Sequence, residues 1–210
     1  YVIKESSEIN AYFVLSKKSS DWERLKKEGF NLIDASGGEF RKAYASSSML
    51  LSSHINSSFV TPFGKDSTLK KKFVFLQHGV IGNDLSRWLN NTSRIDCFIT
   101  STLDEYNSFV GDGTPYRIGK KETFLTGIPR HDNLKLLEKN KSKEILVMPT
   151  WRASLAGEIR KDKLERDYNS DLINSEYFKH WQSMLGSEML EQLAEEFDYK
   201  VVFMPHPNLA

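Results

Sequence analysis

Cysteine and net charge are both scarce in this sequence. Cys97 is the single cysteine among 210 residues, so these residues cannot form an internal disulfide, and its place in the apolar stretch IDCFIT predicts a buried thiol in a reducing compartment. Lys and Arg total 29 against 28 Asp and Glu, which leaves no global field for attracting nucleic acid or anionic lipid. Any bound anion must therefore be held by local groups.

Long apolar runs and common cofactor motifs are also absent. No run approaches the ~20 apolar residues that cross a bilayer, and the first residues, YVIKESSEIN, are unlike a signal peptide. The sequence has no GxGxxG, Walker-loop, CxxC or HExxH pattern, so we expect no dinucleotide, metal or other cofactor. Because the chain starts at Tyr1 and stops just after a predicted strand, we expect a longer parent protein.

The order of apolar and amphipathic stretches predicts an α/β fold. Short β-branched or aromatic runs alternate with helical patterns, as in the βαβ units of a parallel sheet. Most strand candidates are continuously apolar, which favours strands buried on both faces. The candidate strands are residues 11–16, 30–35, 49–54, 72–77, 96–101, 123–127, 144–149 and 200–205. The candidate helices are residues 21–28, 39–45, 103–110, 133–139, 173–185 and 189–197.

A polar, charged stretch over residues 136–144 separates a helical pattern from a new apolar run. Such a change of composition is typical of a domain boundary. We therefore predict an N-terminal lobe over residues 1–141 and the start of a C-terminal lobe over residues 142–210, with a cleft between the two.

Four apolar runs end in residues that can meet a phosphorylated ligand. Open α/β sheets bind ligands just beyond the carboxyl ends of their strands, where these side chains would fall. They indicate a nucleotide or phosphoryl site assembled from several loops. The residues are His78, Arg130, Thr150, Arg152 and His206.

His78 and Arg130 follow apolar runs of the first lobe. The His78 imidazole could act as a general base or stabilise a phosphate, or it could merely hydrogen-bond a loop. Gly79 lets a ligand approach the backbone closely. A cation in the first turn of a helix opposes the dipole, so an anionic ligand explains Arg130 better than helix stability does; the alternative is an ion pair with Asp132.

The second lobe repeats this construction. Thr150 offers a hydroxyl and Arg152 a guanidinium that binds phosphate bidentately. Trp151 is expected to pack the core; the alternative is that it stacks on a base. Two prolines fix the backbone around His206. We expect His78 and His206 to face each other across the cleft, an arrangement suited to gripping a diphosphate and assisting proton transfer.

Four motifs together carry a resemblance to a known enzyme family. The motifs are QHG at 77–79, GIPRHD at 127–132, PTWR at 149–152 and HP at 206–207. In order and spacing they resemble the CDP-glycerol glycerophosphotransferases of teichoic acid and capsule synthesis, over residues 73–208. Gln77 stands where that family often has Trp.

The resemblance implies a fold and an activity. The fold would be GT-B-like, with an acceptor-side Rossmann-like lobe and a CDP-alcohol-binding lobe that is incomplete in this chain. The activity would be transfer of glycerol phosphate from CDP-glycerol to a polyol-phosphate or glycan acceptor, with release of CMP; CDP-ribitol would be bound by nearly the same residues. Family members act on lipid-linked acceptors, so we expect a cytoplasmic protein whose peripheral association with the inner face of the membrane uses parts outside this chain.

The resemblance also implies roles for residues. His78 matches a proposed base for the acceptor hydroxyl and His206 a phosphate contact. The other implied substrate-binding residues are Gly79, Arg130, Thr150, Arg152, Pro207 and Asn208. Two alternatives stay open: a GT-B nucleotide-sugar glycosyltransferase that releases a nucleoside diphosphate, and a non-catalytic nucleotide-binding or scaffold module in surface-polymer assembly.

Overall fold

The computed structural model describes residue 6 and residues 8–68, 70–91, 94–137, 142–159 and 166–209. The chain divides into two compact units, unit 1 over Tyr1–Leu136 and unit 2 over Leu137–Ala210. The lobe boundary predicted between residues 141 and 142 touches residue 141, which lies outside the described ranges, and it stays a prediction.

All eight predicted strands are present, and each is shorter than the apolar run that predicts it. The runs continue past the strands because their last residues already belong to the loops that follow. The strands are β1 (Phe13–Leu15), β2 (Leu32–Asp34), β3 (Met49–Ser52), β4 (Lys72–Phe75), β5 (Cys97–Thr100), β6 (Thr123–Leu125), β7 (Glu144–Val147) and β8 (Lys200–Phe203).

The strands of the described residues form three sheets, and every pair of neighbours within them is parallel. β1 pairs with β2, β3 to β6 form a four-stranded sheet in sequence order, and β7 pairs with β8. Parallel neighbours need crossover connections, which the intervening helices supply. This confirms the predicted α/β class with parallel sheets, and it is consistent with Rossmann-like units.

Six of the helices correspond to amphipathic patterns in the sequence. α6 begins three residues before its predicted start, and the predicted residues 138–139 lie outside the described ranges. The single-turn helices α3 and α4 are too short to show such a pattern. The helices are α1 (Trp22–Lys27), α2 (Gly38–Ser46), α3 (Ser57–Val60), α4 (Ser86–Leu89), α5 (Leu103–Val110), α6 (Arg130–Leu137), α7 (Glu176–Leu185) and α8 (Glu188–Glu196).

The core of unit 1 is built from aromatic side chains of the four-stranded sheet and α5. The Phe98 ring of β5 lies 5.6 Å from the Phe75 ring of β4 and 4.5 Å from the Phe109 ring of α5, measured between centroids. All three side chains are buried, and each burial contributes about 1.5–3 kcal/mol. The loops at the ends of these strands are therefore attached to buried, packed residues.

The prediction that most strands are buried on both faces is wrong outside β2, β4 and β5. In β7, Ile145 and Leu146 are exposed, and in β8 Phe203 is exposed. Side chains of a strand point to the two faces of its sheet, and their burial depends on what packs over those faces, which apolar composition alone does not show. Cys97, expected to be buried, is half-buried at the start of β5, and this burial raises the pKa of its thiol.

Candidate functional site

Unit 1 presents its predicted site residues along one edge of the four-stranded sheet. Because β3 to β6 are all parallel, their carboxyl ends lie along the same edge. Open α/β sheets bind ligands at this kind of edge. The loops that leave it carry His78, Gly79 and Arg130.

His78 is exposed in the loop after β4, and its ring is held by a backbone carbonyl. Its Nδ1 lies 2.7 Å from the carbonyl oxygen of Ser53, which follows β3. A carbonyl oxygen only accepts hydrogen bonds, so Nδ1 carries the proton and donates it. The lone pair of the neutral ring is then on Nε2, where it can accept a proton from a hydroxyl group.

His54, which the sequence analysis did not single out, lies against His78. The two ring centroids are 4.8 Å apart in an edge-to-face arrangement, and the His54 ring also lies 5.4 Å from that of Phe59. The sequence does contain a pattern that could have indicated His54: the stretch MLLSSH ends in a histidine, as the stretch FVFLQH does at His78. The edge therefore carries two adjacent imidazoles.

Gln77 has an unusual backbone conformation and a buried side-chain amide. Its φ of 61° lies in the left-handed region, which costs a residue other than glycine about 1–2 kcal/mol. The side chain is 4% exposed, and its Nε2 has no hydrogen-bond partner in the described part of the chain. Both features cost stability, and both lie immediately before His78.

Two glycines shape the loops at this edge. A Cβ added to Gly79 would meet no heavy atom within 4 Å, so space beside the backbone is open. Gly127, with a φ of +83°, turns the chain from β6 towards α6, where a residue with a Cβ would be strained. The amides of Thr126 and Gly127 both donate to the carbonyl oxygen of Thr100, at 3.1 and 3.0 Å.

Arg130 is the first residue of α6 and is exposed. Within the described ranges it forms no ion pair, so the alternative partner Asp132 is not observed. A cation in the first turn is unfavourable for the helix dipole, whereas Asp132 in the same turn acts in the favourable sense. A bound anion stays the predicted explanation for this arginine.

Unit 2 gathers its predicted residues where β7 and β8 end. The Tyr177 hydroxyl of α7 donates to the carbonyl oxygen of Thr150 at 3.0 Å, which fixes the turn after β7. The Arg152 guanidinium lies over the Tyr177 ring, 5.4 Å from its centroid. The guanidinium also donates to the carbonyl oxygens of Thr150 and Trp151, at 3.4 and 3.5 Å, and among the described residues of unit 2 no carboxylate pairs with it.

Trp151 packs between a cation and an imidazole. Its ring centroid lies 5.8 Å from that of His206, and the Arg166 guanidinium lies 5.3 Å from the Trp151 ring centroid. Trp151 is only half-buried, so it packs against His206 rather than into a core. Neither Arg166 nor Tyr177 was predicted, because their positions depend on the fold of a long polar segment.

The His206 ring has the opposite hydrogen-bonding arrangement from the His78 ring. The backbone N–H of Asn208 donates to His206 Nδ1 at 3.1 Å. Since Nδ1 accepts, the proton of the neutral ring is on Nε2, which can donate to an anionic oxygen. Pro207 and Asn208 lie in the short 3-10 helix Pro207–Leu209, which returns this N–H to the ring.

The structure also has two depressions, of which the second adjoins the unit 2 residues through Pro149, Tyr177 and Pro205. The first, of about 530 Å³, lies at the amino ends of β4 to β6 and mixes both signs of charge; its charged residues are Lys72, Arg94, Asp96, Arg117, Lys121 and Glu122. The second, of about 630 Å³ in unit 2, is lined mainly by apolar side chains, among them Leu172, Trp181 and Phe203. Neither is lined by a predicted site residue.

The structure brings the predicted residues together in two groups, one in each unit. In unit 1, His78 and Gly79 share a loop beside His54, and Arg130 follows the strand at the sheet's end. In unit 2, the residues that gather at the β7–β8 edge are Thr150, Arg152, His206, Pro207 and Asn208. Of the helices in the described ranges, none has the length and apolar character needed to cross a bilayer.

These features define an α/β protein with parallel sheets whose carboxyl edges carry histidine and arginine side chains suited to a phosphorylated ligand. The chain belongs to the family described as CDP-Glycerol:Poly(glycerophosphate) glycerophosphotransferase, which it matches over residues 1–210. It is also 34% identical over 215 residues to the "Minor teichoic acid biosynthesis protein GgaB" of Bacillus subtilis (strain 168). That match covers 100% of this chain and 23% of the relative's length. No solved structure matches the chain.

Proposed function

We propose that the protein transfers glycerol phosphate from CDP-glycerol to a polyol-phosphate or glycan acceptor in the synthesis of a cell-surface polymer, and releases CMP. Membership in the glycerophosphotransferase family and similarity to a teichoic acid biosynthesis protein support this class of reaction. The observation that carries the residue roles is the opposite arrangement of the two histidines. His78 leaves Nε2 as an acceptor, whereas His206 leaves Nε2 as a donor.

In the proposed reaction, His78 Nε2 takes the proton of the acceptor hydroxyl as its oxygen attacks the glycerol-side phosphorus. A new oxygen–phosphorus bond forms, and the bond from that phosphorus to the oxygen of CMP breaks in line with it. CMP leaves with the bonding electron pair. Stabilising the charge on the equatorial phosphate oxygens is the main catalytic device in such transfers.

The other predicted residues would bind the donor. His206 Nε2–H donates to a phosphate oxygen, Thr150 offers its hydroxyl, and the Arg152 guanidinium can bind two oxygens of one phosphate. Arg130 supplies a further cation, and Gly79 lets substrate approach the backbone. The donor would be CDP-glycerol or CDP-ribitol, whose polyol ends differ while their diphosphates are the same.

Identification of the released nucleotide tests this proposal. The full-length protein is incubated with CDP-glycerol and poly(glycerophosphate), and the products are separated by anion-exchange chromatography. The proposal predicts CMP, formed only when acceptor is present. Release of a nucleoside diphosphate from a nucleotide sugar would indicate a glycosyltransferase, and binding of CDP-glycerol without any product would indicate a scaffold.

A further inference from the structure

Glu105 is a buried carboxylate that the proposed reaction does not use. It is the third residue of α5 and is 3% exposed. A carboxylate so far from water is costly unless hydrogen-bond donors surround it. Such a group at the carboxyl edge of the sheet needs a physical explanation.

The donors to Glu105 come from two different strand ends. Its Oε1 accepts from the Ile81 N–H at 2.8 Å. Its Oε2 accepts from the Ser101 N–H at 2.7 Å and from the Ser101 hydroxyl at 3.2 Å. One charge therefore joins the loop after β4 to the end of β5 through charge-assisted hydrogen bonds, which are stronger than neutral ones.

The loop that Glu105 holds is the loop that carries His78. At its start, Gln77 is buried in a left-handed conformation. At its end, the Ile81 side chain packs against the core and its N–H bonds to Glu105. Only three residues, His78, Gly79 and Val80, lie between these two anchors, so a shift at Ile81 moves the imidazole.

We propose that Glu105 is a positioning residue for the transfer reaction, which holds the His78 loop so that Nε2 meets the acceptor hydroxyl. This inference rests on the proposed function. Glu105 is not a catalytic residue, because it acts through the Ile81 amide. A misplacement of about 1 Å at a reacting group can cost about 100-fold in rate.

Replacement of Glu105 by Gln, with Thr102→Ala as the matched control, tests the proposal. Glu105→Gln keeps the side-chain shape but turns an amide N–H2 towards one of the backbone donors. Thr102→Ala removes the hydroxyl that accepts from the Glu105 N–H at 3.1 Å, and so weakens the start of the same helix without touching the His78 loop.

Two readouts are measured on the full-length protein. We expect Glu105→Gln to lower kcat for CMP release about 10- to 100-fold with little change in KM for CDP-glycerol, and Thr102→Ala to stay within about 2-fold of the wild type. Amide hydrogen exchange should become faster at residues 79–81 in Glu105→Gln and not in Thr102→Ala.

Several results would overturn the proposal. Equal losses of kcat in the two variants would make Glu105 a helix cap and nothing more. Wild-type kcat in Glu105→Gln, or unchanged exchange at residues 79–81, would show that Glu105 does not set the loop. If the wild type itself releases no CMP, the proposed function fails first, and the role of Glu105 in catalysis fails with it.

Discussion

At the scale of single residues, backbone groups give the two histidines opposite hydrogen-bonding arrangements. The Ser53 carbonyl fixes the proton on Nδ1 of His78, and the Asn208 N–H fixes the lone pair on Nδ1 of His206. In the neutral rings, Nε2 of His78 can therefore accept a hydrogen bond, whereas Nε2 of His206 carries a hydrogen and can donate one. The proposed roles of base and phosphate contact would therefore need no change of residue type, only a different neighbour on the backbone.

His206→Ala is expected to weaken donor binding. It removes a donor to a charged phosphate, and a hydrogen bond of this kind contributes about 1.5–3 kcal/mol. CDP-glycerol should therefore bind the full-length variant about 10- to 100-fold more weakly, as measured by isothermal titration calorimetry. His180→Ala, an exposed histidine on α7, is the control and should bind like the wild type. Equal affinity in all three proteins would remove His206 from the donor site.

His54→Ala is expected to slow the reaction modestly, because the ring of His54 packs edge-on against that of His78. Aromatic pairs contribute about 0.5–1.5 kcal/mol, which corresponds to a loss of about 2- to 10-fold in kcat. His54→Phe keeps a ring without nitrogens and should retain most of the rate. If His54→Phe is as slow as His54→Ala, the imidazole nitrogens matter and simple packing is the wrong explanation.

The residue types of the site could be predicted from sequence, but the contacts between them could not. His78 and His206 stand out because each follows an apolar run and adjoins glycine or proline. Glu105 reads in the sequence as one more carboxylate at the start of a helix, and nothing there shows that the Ile81 amide reaches it. Ser53 is one of many serines until β3 and β4 are paired in register.

At the scale of elements, hydrogen bonds from carboxylates connect neighbouring segments at both the amino and the carboxyl ends of the unit 1 strands. Opposite the histidines, Asp96 precedes β5, and its Oδ2 accepts from the Phe73 N–H of β4 at 3.0 Å. Burial disfavours the ionised Asp96, but the Phe73 N–H and the charges of Arg94 and Lys72 outweigh this and hold the pKa of Asp96 below its usual value.

Asp96 should make the free energy of unfolding depend on pH under acidic conditions. Because its folded-state pKa is lowered, its contribution is complete above the unfolded value of about 3.9 and is lost as pH falls through the folded-state pKa. Asp96→Asn should therefore lower the free energy of unfolding at pH 7 by about 1–3 kcal/mol, and the difference from wild type should shrink in stronger acid. Urea unfolding at several pH values measures it. Asp112→Asn, in an exposed loop, should show no such trend; a constant difference for Asp96→Asn would contradict the account.

Gly157 marks a close approach between two segments of unit 2. Ile159 and Arg166 form an antiparallel bridge, and the Arg166 guanidinium donates to the Gly157 carbonyl at 2.8 Å. A Cβ at Gly157 would overlap the backbone carbonyl of Asp167. The Arg166 guanidinium also lies over the Trp151 ring, and Trp151 in turn packs against His206. A change at Gly157 can therefore affect the surroundings of His206.

Gly157→Ala is expected to destabilise unit 2 by about 1–3 kcal/mol, the usual cost of overpacking. Denaturant unfolding followed by tryptophan fluorescence measures the stability, since Trp151 and Trp181 both lie in unit 2. Gly119→Ala is the control, because its Cβ would come no closer than 3.9 Å to Glu122, and it should cost little. Equal stability of the two variants would show that the segments can separate at no cost.

At the scale of the whole molecule, alternation of strands and helices was predictable because the sequence patterns are local. All eight strands follow from apolar runs of a few residues, and the parallel pairing follows from the helices between them. Burial was not predictable in the same way. Whether Ile145 or Phe203 is covered depends on what packs over each face of the sheet, which no single run encodes.

The central claim is that His78 Nε2 accepts the proton of the attacking hydroxyl, and one rate comparison tests it most directly. CMP release from CDP-glycerol, with poly(glycerophosphate) as acceptor, is measured for the full-length wild type and for His78→Asn, whose side-chain amide can still donate to the Ser53 carbonyl. The account predicts a loss in kcat of about 100-fold or more, with unchanged affinity for CDP-glycerol and an unchanged unfolding temperature. A wild-type rate in His78→Asn would contradict it.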